Sequence, residues 1–362
     1  MKKISFKSLI IIVLLIMVII LPLFYPSGVT PIYFRLFLLF LILINSLKLF
    51  KIVFIDTKVN RIISNSATIL FSIFVIFLLL EAIFMFIPRS HAIDFTLASK
   101  LWYQKYWKPI NSLGFRDKEP DNKNPVILFV GDSYTAGMGL KSIDDRFSNI
   151  VGRELNKKGR NYTIINIGKL GADTIDEYKV MRNFLYMTRI KPEKIILQYS
   201  ANDIENVAME NGLTFVFHPL MNKYLSAIGS GSYLINYIYW SFPRGYLVES
   251  YANFLIQAYK NDGILSKQKG NLGLFVNYAN KNSIQLIVVI FPFLGNVEMS
   301  DSIYVNDIVN FFRMNKVCVI NVSALVKDIP VSERIVNLND AHASKLVNRI
   351  VAQEILRKLV IK

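Results

Sequence analysis

The sequence predicts a doubly wound α/β domain with a mostly parallel sheet, preceded by a helical membrane anchor. After residue 125, short apolar runs ending in Gly, Ser, Asn or Asp turns alternate with helix-patterned segments, which is how a parallel sheet covered on both faces reads. The first ninety residues instead hold three long apolar stretches. Hydrophobic residues make up 53% of the chain, above the roughly 45–50% of a soluble globular protein. The excess sits in those stretches, so the chain divides into two solvent regimes.

The three stretches cover residues 8–24, 31–50 (interrupted by Arg35 and Asn45) and 67–87 (interrupted by Glu81). Each is close to the ~20 residues a spanning helix needs. Lys2, Lys3 and Lys7 give the first the positive start of a signal peptide, but two more stretches follow and no A-x-A-like site stands in residues 22–28, so a retained anchor is expected. Basic residues precede the first stretch and recur between the second and third (Lys48, Lys51, Lys58, Arg61), while residues 25–30 have none. The positive-inside rule then places everything after Pro88 outside the cytoplasm. Glu81, near the outer end of the third stretch, is expected to reach water.

The expected divisions are an anchor at 1–90, a connecting segment at 91–125 and a catalytic-type domain at 126–362. Strands are expected at 126–130, 163–167, 194–199, 283–291 and 317–321, and helices at 146–157, 174–187 and 344–359. Residues 206–275 break the rhythm. They are rich in Tyr, Phe, Gly and Ser, with helical pieces at 234–240 and 247–259, and read as an insertion over the top of the sheet. Their aromatics either form the insertion's own core or line a substrate groove.

Composition excludes several classes. The one cysteine, Cys318, cannot form an internal disulfide and reads as a small buried residue. The formal charge of +16 is scattered, with no dense basic run and no nucleic-acid motif. His and Cys are too few and too far apart for a zinc site, and neither a P-loop nor a G-x-G-x-x-G occurs, so no cofactor is expected.

In open α/β sheets, ligands bind beyond the carboxyl ends of the strands. Gly131-Asp132-Ser133-Tyr134-Thr135-Ala136-Gly137 follows the first strand, Gly168 to Thr174 the second and Ser200-Ala201-Asn202-Asp203 the third, while Asn339-Asp340-Ala341-His342 precedes the last helix. A Ser on a Gly-flanked strand-to-helix turn can be held exposed at the sheet rim. Of three histidines, His91, His218 and His342, only His342 lies after the last strand and beside an acid.

These blocks resemble the SGNH hydrolases, also called GDSL-like lipases and esterases, over roughly residues 110–360 apart from the insertion. The resemblance implies a flavodoxin-like three-layer fold with Ser133 as nucleophile and His342 as its base. It also implies an oxyanion cradle from the backbone N–H groups of Ser133 and Gly171 (a better match than Gly168) and the Asn202 amide. The family's G-x-N-D reads Ser200-Ala201-Asn202-Asp203 here. Asn339 stands where the family places the acid, three residues before His, and Asp340 stands two before; Asp340 is the expected partner of His342. Residues 111–117 (NSLGFRD) resemble bacterial membrane-tethered members, which implies a multi-pass protein of the bacterial cytoplasmic membrane with its catalytic domain outside.

The activity implied is acyl transfer through an acyl-serine on ester groups, O-acetyl above all, of an envelope glycan or lipid. Water as acceptor makes an esterase. A sugar hydroxyl makes an O-acyltransferase, which would need a separate membrane partner to deliver acyl groups. Loss of activity would leave a glycan-binding or assembly module.

Overall fold

The computed structural model describes residues 57–86, 88–90, 96–215, 232–241 and 244–360. Helices run over Thr57–Phe86 (α1), Leu97–Tyr106 (α2), Ser133–Ala136 (α3), Phe147–Lys157 (α4), Thr174–Thr188 (α5), Tyr233–Ser241 (α6), Arg244–Lys260 (α7), Asp262–Lys281 (α8), Asn306–Met314 (α9) and Lys345–Val360 (α10). Strands run over Val126–Val130 (β1), Thr163–Asn166 (β2), Lys194–Tyr199 (β3), Gln285–Ile290 (β4), Cys318–Asn321 (β5), Ile335–Asn337 (β6) and Asp340–Ala343 (β7). The chain forms two compact units, one holding α1, Thr96–Ala98 and α6, the other the rest of the described chain from Arg89 on.

In the larger unit β1 to β5 form one five-stranded sheet in the order β2-β1-β3-β4-β5, with every neighbouring pair parallel. All five residues of β1 are buried. Alternate residues face opposite layers. Ile127 and Phe129 pack with Val151 and Leu155 of α4 and Val347 and Val351 of α10. Leu128 and Val130 face the other core, with Met181 of α5, Phe275 of α8 and Phe312 of α9. Burial on both faces is why this strand is a continuous apolar run and not an alternating one. The strand order reverses at β1, which makes the crevice between β1 and β3 the switch point where such sheets bind ligands.

The five expected strands form within two residues of their predicted ends. Of the expected insertion at 206–275, the part in α7 and α8 lies against a face of the sheet and not over its top: Phe254 and Ala258 of α7 and Leu272 of α8 share the core that covers that face. The sequence signal for α8 is diluted by Gly263, Gly270 and Gly273, poor helix formers. Cys318 is only half-buried, being on the edge strand β5. The β6–β7 hairpin is absent from the expected elements, because strands of three and four residues carry no readable period.

In the smaller unit Glu81 does not reach water. It is 3% exposed and caps α6, accepting from the Ser232 hydroxyl at 2.9 Å, from Leu234 N–H at 3.1 Å and from Tyr233 N–H. A carboxylate at a helix N-terminus meets both orphan N–H groups and the positive end of the dipole. The Phe84 and Tyr237 rings pack 4.8 Å apart beside it.

The first two expected membrane spans lie outside the described residues. The third falls in α1, a helix of 30 residues whose side chains are described only in part. Among the described residues no helix is long and apolar enough to cross a membrane, so the expected three-span anchor has no support there.

Candidate active site

The loops at the carboxyl ends of β1, β2 and β3 meet the β6–β7 hairpin at one corner of the sheet. After β1 the chain turns sharply through Gly131, where a Cβ would lie 2.2 Å from Thr135 Oγ1 and 2.5 Å from Gln198 Oε1. Asp132 caps α3, accepting from Tyr134 N–H at 2.8 Å, and its own N–H donates to Gln198 Oε1 at 3.0 Å. Ser133 thus opens a single helical turn that ends at Gly137, in the left-handed region with φ 75°.

This turn is braced from beneath by the 111–117 segment. Buried Arg116 donates to the carbonyls of Gly137 at 2.6 Å, Leu140 at 2.7 Å and Tyr106 at 2.9 Å. Its guanidinium lies 4.5 Å from the Trp107 ring centroid. Asp117 pairs with buried Arg146 at 2.9 Å and accepts from Asn166 N–H at 2.8 Å, tying the end of β2 to the same brace. In the sequence the segment stands out only as a likeness to membrane-tethered relatives, and its bracing role follows from these bonds.

The hairpin supplies Asp340 and His342. Asp340 and His342 are two apart on β7, and on a strand residues i and i+2 share a face. His342 Nδ1 lies 2.5 Å from Asp340 Oδ1, and His342 Nε2 lies 2.8 Å from Ser133 Oγ. Asn339 is in the turn, where its N–H donates to Asn337 Oδ1 at 2.9 Å. A two-residue offset therefore serves here because the acid and base ride on a strand. Asp340 is fully buried. Burial alone would raise its pKa. The His342 charge, the bond to the ring, the Ser90 hydroxyl and the His342 N–H together hold it below the ordinary carboxylate value. Its second oxygen, Oδ2, is buried without a well-formed hydrogen bond. The Tyr134 ring packs 5.1 Å from the imidazole and 4.7 Å from Phe291, forming a dry wall behind the base.

Gly171 and Asn202 stand on the loops that flank Ser133. Gly171 has φ 64°, a backbone state that glycine adopts without strain. Asn202 Nδ2 donates to Ala172 O at 3.4 Å, joining the loop after β3 to the residue beside Gly171. Lys169 N–H donates to Gly131 O at 3.0 Å, joining the loop after β2 to the nucleophile turn. Gly168 has a steric role, since a Cβ there would lie 2.3 Å from Ala136 N and only glycine lets this loop lie against α3. Its place just after a strand is the readable signal.

Ser200, which stands where the resemblance led one to expect glycine, is a linking residue. Its hydroxyl donates to Asp132 Oδ2 at 2.7 Å and contacts the Asn202 side chain, while its N–H donates to Asp203 Oδ2 at 2.6 Å. Asp203 also accepts from the Thr174 hydroxyl at 3.0 Å. Asp132 is pushed up by burial, against the opposing bonds from Ser200 and Tyr134. Burial pushes Glu177 and Asp203 well above the carboxylate range, with repulsion from neighbouring acids adding to it. No sequence signal marks Glu177, which is just one acid in the first turn of α5.

Of the residues singled out from sequence, Ser133, His342 and Asp340 form one hydrogen-bonded line. Asn202 is tied to the cap of the nucleophile helix, and Gly171 neighbours Ala172, to which Asn202 is bonded. His91 and His218 lie outside the described residues. Among the described residues no cluster of His, Cys, Asp and Glu is arranged to hold a metal ion.

No protein-family model matches the sequence, and neither does any curated protein. Solved structures similar to it include a lipase/acylhydrolase from Enterococcus faecalis, at 14% identity and TM-score 0.42 over 65% of this chain and 95% of that one. A catalytic mutant of Axe2, an acetylxylan esterase from Geobacillus stearothermophilus, is 12% identical with TM-score 0.42 over 66% of this chain and 95% of that one. The psychrotrophic esterase EstA from Pseudoalteromonas sp. is 13% identical with TM-score 0.39 over 66% of this chain and all of the other. Likenesses of this size assign no residue a role. The geometry of this chain has to do that.

Proposed function

We propose that this chain is a serine hydrolase that cleaves short acyl esters, O-acetyl groups foremost, on a cell-envelope glycan or lipid, while tethered to a bilayer by its first ninety residues. The observation that carries the chemistry is the unbroken line from Ser133 Oγ to His342 Nε2 at 2.8 Å and from His342 Nδ1 to Asp340 Oδ1 at 2.5 Å. A serine hydroxyl becomes a competent nucleophile when a positioned base takes its proton. Asp340 holds the ring so that Nε2 faces Ser133, and it stabilises the imidazolium that forms.

Ser133 Oγ attacks the ester carbonyl as His342 accepts the proton. The oxyanion is received by the Ser133 and Gly171 N–H groups and the Asn202 amide. Collapse expels the alcohol, which takes the proton from His342, and leaves an acyl-serine. Water activated by the same histidine then releases the acid and restores Ser133. The hydrogen-bonded line argues against a binding module that has lost its chemistry.

The tether rests on the apolar runs and on α1, where Ile69, Ile73, Ile76, Leu79 and Ile83 are all more than half exposed and need cover from hydrocarbon. The test is acetate release from p-nitrophenyl acetate and from an O-acetylated polysaccharide, with and without a free sugar acceptor. Acetate release that disappears in Ser133→Ala is expected. Acetyl groups appearing only on the sugar acceptor identify a transferase. A folded protein that neither releases nor transfers acetate contradicts the proposal.

A further inference from the structure

Asp340 gives one carboxyl oxygen to the histidine and turns the other into the protein. Oδ1 accepts from the ring at 2.5 Å and from the His342 N–H at 3.2 Å. Oδ2 is buried and lacks a well-formed hydrogen bond. One side of it is closed by backbone, since a Cβ on Gly139 would lie only 2.8 Å away. A buried carboxylate oxygen left without a donor is costly.

An unspent donor stands beside the same hairpin. Ser90 is 2% exposed and belongs to the larger unit. Asn337 Nδ2 donates to its carbonyl at 3.3 Å and to its hydroxyl oxygen at 3.2 Å. Asn337 Oδ1 is taken by the N–H of Asn339, so the amide presents its nitrogen to Ser90. Ser90 Oγ is therefore the acceptor in that contact, and its own proton is left for another partner. Asn337 pairs across the hairpin with Asp340. The Ser90 hydroxyl is also among the groups that hold the Asp340 carboxyl below the ordinary range.

We propose that Ser90 is a positioning residue of the catalytic line: its hydroxyl donates to Asp340 Oδ2 and keeps Oδ1 on the His342 ring. This rests on the hydrolase reading above. It extends the working site to a residue well ahead of the expected start of the catalytic domain at 126. The contact is poorly aligned at rest, as hydrogen bonds in unliganded active sites often are, and tightens as charge develops on the imidazole.

The proposal has a sign. A donor on Oδ2 draws negative charge away from Oδ1. Without it the carboxylate attracts the imidazolium more strongly, and His342 keeps its proton to higher pH. The other titratable groups facing the imidazole are Asp132 and Tyr134 on the nucleophile turn, and the test alters neither.

The experiment measures kcat and KM of the full chain for p-nitrophenyl acetate across the acid range. Rates are expressed per Ser133 titrated with a fluorophosphonate, so unfolded chain does not count. Ser90→Ala is expected to lower kcat about tenfold. KM should change little, because Ser90 is buried behind Asp340 and meets no substrate. The acid limb of kcat/KM should move up by about half a pH unit. Ser90→Cys nearly keeps the volume but offers only a weak donor, so it should match Ser90→Ala. An unchanged kcat in Ser90→Ala overturns the inference. So does a loss of kcat with the acid limb unmoved or lowered, or a Ser90→Cys protein that behaves like the parent, since either would make Ser90 a packing residue. A parent that turns over no ester brings down the hydrolase reading and this inference with it.

Discussion

Ser133 stands on a turn locked on every side by buried groups, whereas His342 stands on a two-stranded hairpin with far less behind it. Gly131, Asp132, Gln198 and Ser200 surround the serine, and Arg116 binds the carbonyls at the exit of its helix. The histidine is aimed by Asp340 and backed by the Tyr134 ring. The serine is thus placed by a rigid scaffold, while the histidine is placed by one short hydrogen bond to Asp340 and a hairpin pinned to Ser90. The two halves should fail differently. Damage to the hairpin should cost rate with little stability, and damage around the nucleophile turn should cost stability as well.

Asp340→Asn tests the hairpin half and has the largest expected effect. It leaves the packing intact but presents the wrong tautomer to Ser133, so kcat should fall on the order of 10⁴-fold with the thermal midpoint little changed. Asn339→Asp, made in the Asp340→Asn background, should not restore activity, because residue 339 sits in the turn and not on the face of β7 shared by 340 and 342. Rescue there would show that the hairpin is not rigid enough to choose its acid.

Asn202→Ala should lower kcat on the order of 10²–10³-fold with KM little changed, since a cradle donor acts mainly on the transition state. Ser200→Gly tests the scaffold. It removes the hydroxyl that donates to Asp132 Oδ2 and leaves a buried carboxylate oxygen without that donor. Urea unfolding should show a loss of about 1–3 kcal/mol, with activity within about tenfold of the parent. Equal losses of rate in these two variants would erase the distinction between cradle and scaffold.

The smallest effect expected is a pH dependence of the scaffold. Glu177 and Asp203 have folded-state pKa values raised above their unfolded ones by burial and by neighbouring acids. Their protonated forms favour the fold, so stability declines as pH rises from the unfolded values through the raised ones. Glu177→Gln mimics the protonated acid. Its urea midpoint should fall less than the parent's between pH 5 and pH 8, and the two proteins should converge at the acid end. An identical decline in both would mean that Glu177 is ionised in the fold.

The same contrast explains what could be read from the sequence. β1 and its turn are a contiguous run in which every residue acts locally, as buried apolar residues, a glycine where no Cβ fits, a capping acid and the nucleophile. Such a run is legible in one chain. The base was legible only because there were so few histidines to choose from, and the choice between Asp340 and Asn339 needed the hairpin. That pairing joins residues through strands too short to show a period. Ser200 looked like a flaw because its partners, Asp132 and Asp203, come from a distant turn and from its own loop. Glu81 looked like an acid searching for water because its partners are on a helix some 150 positions later in the chain. In each case the missing information was long-range and polar, which composition and periodicity do not carry.

Mass spectrometry of the folded chain after treatment with a fluorophosphonate tests the central claim most directly. The account predicts one covalent adduct, located by peptide mapping on Ser133, that forms rapidly in the parent and is lost in His342→Ala. A folded parent that remains unlabelled at Ser133, or one labelled equally well without His342, would contradict it.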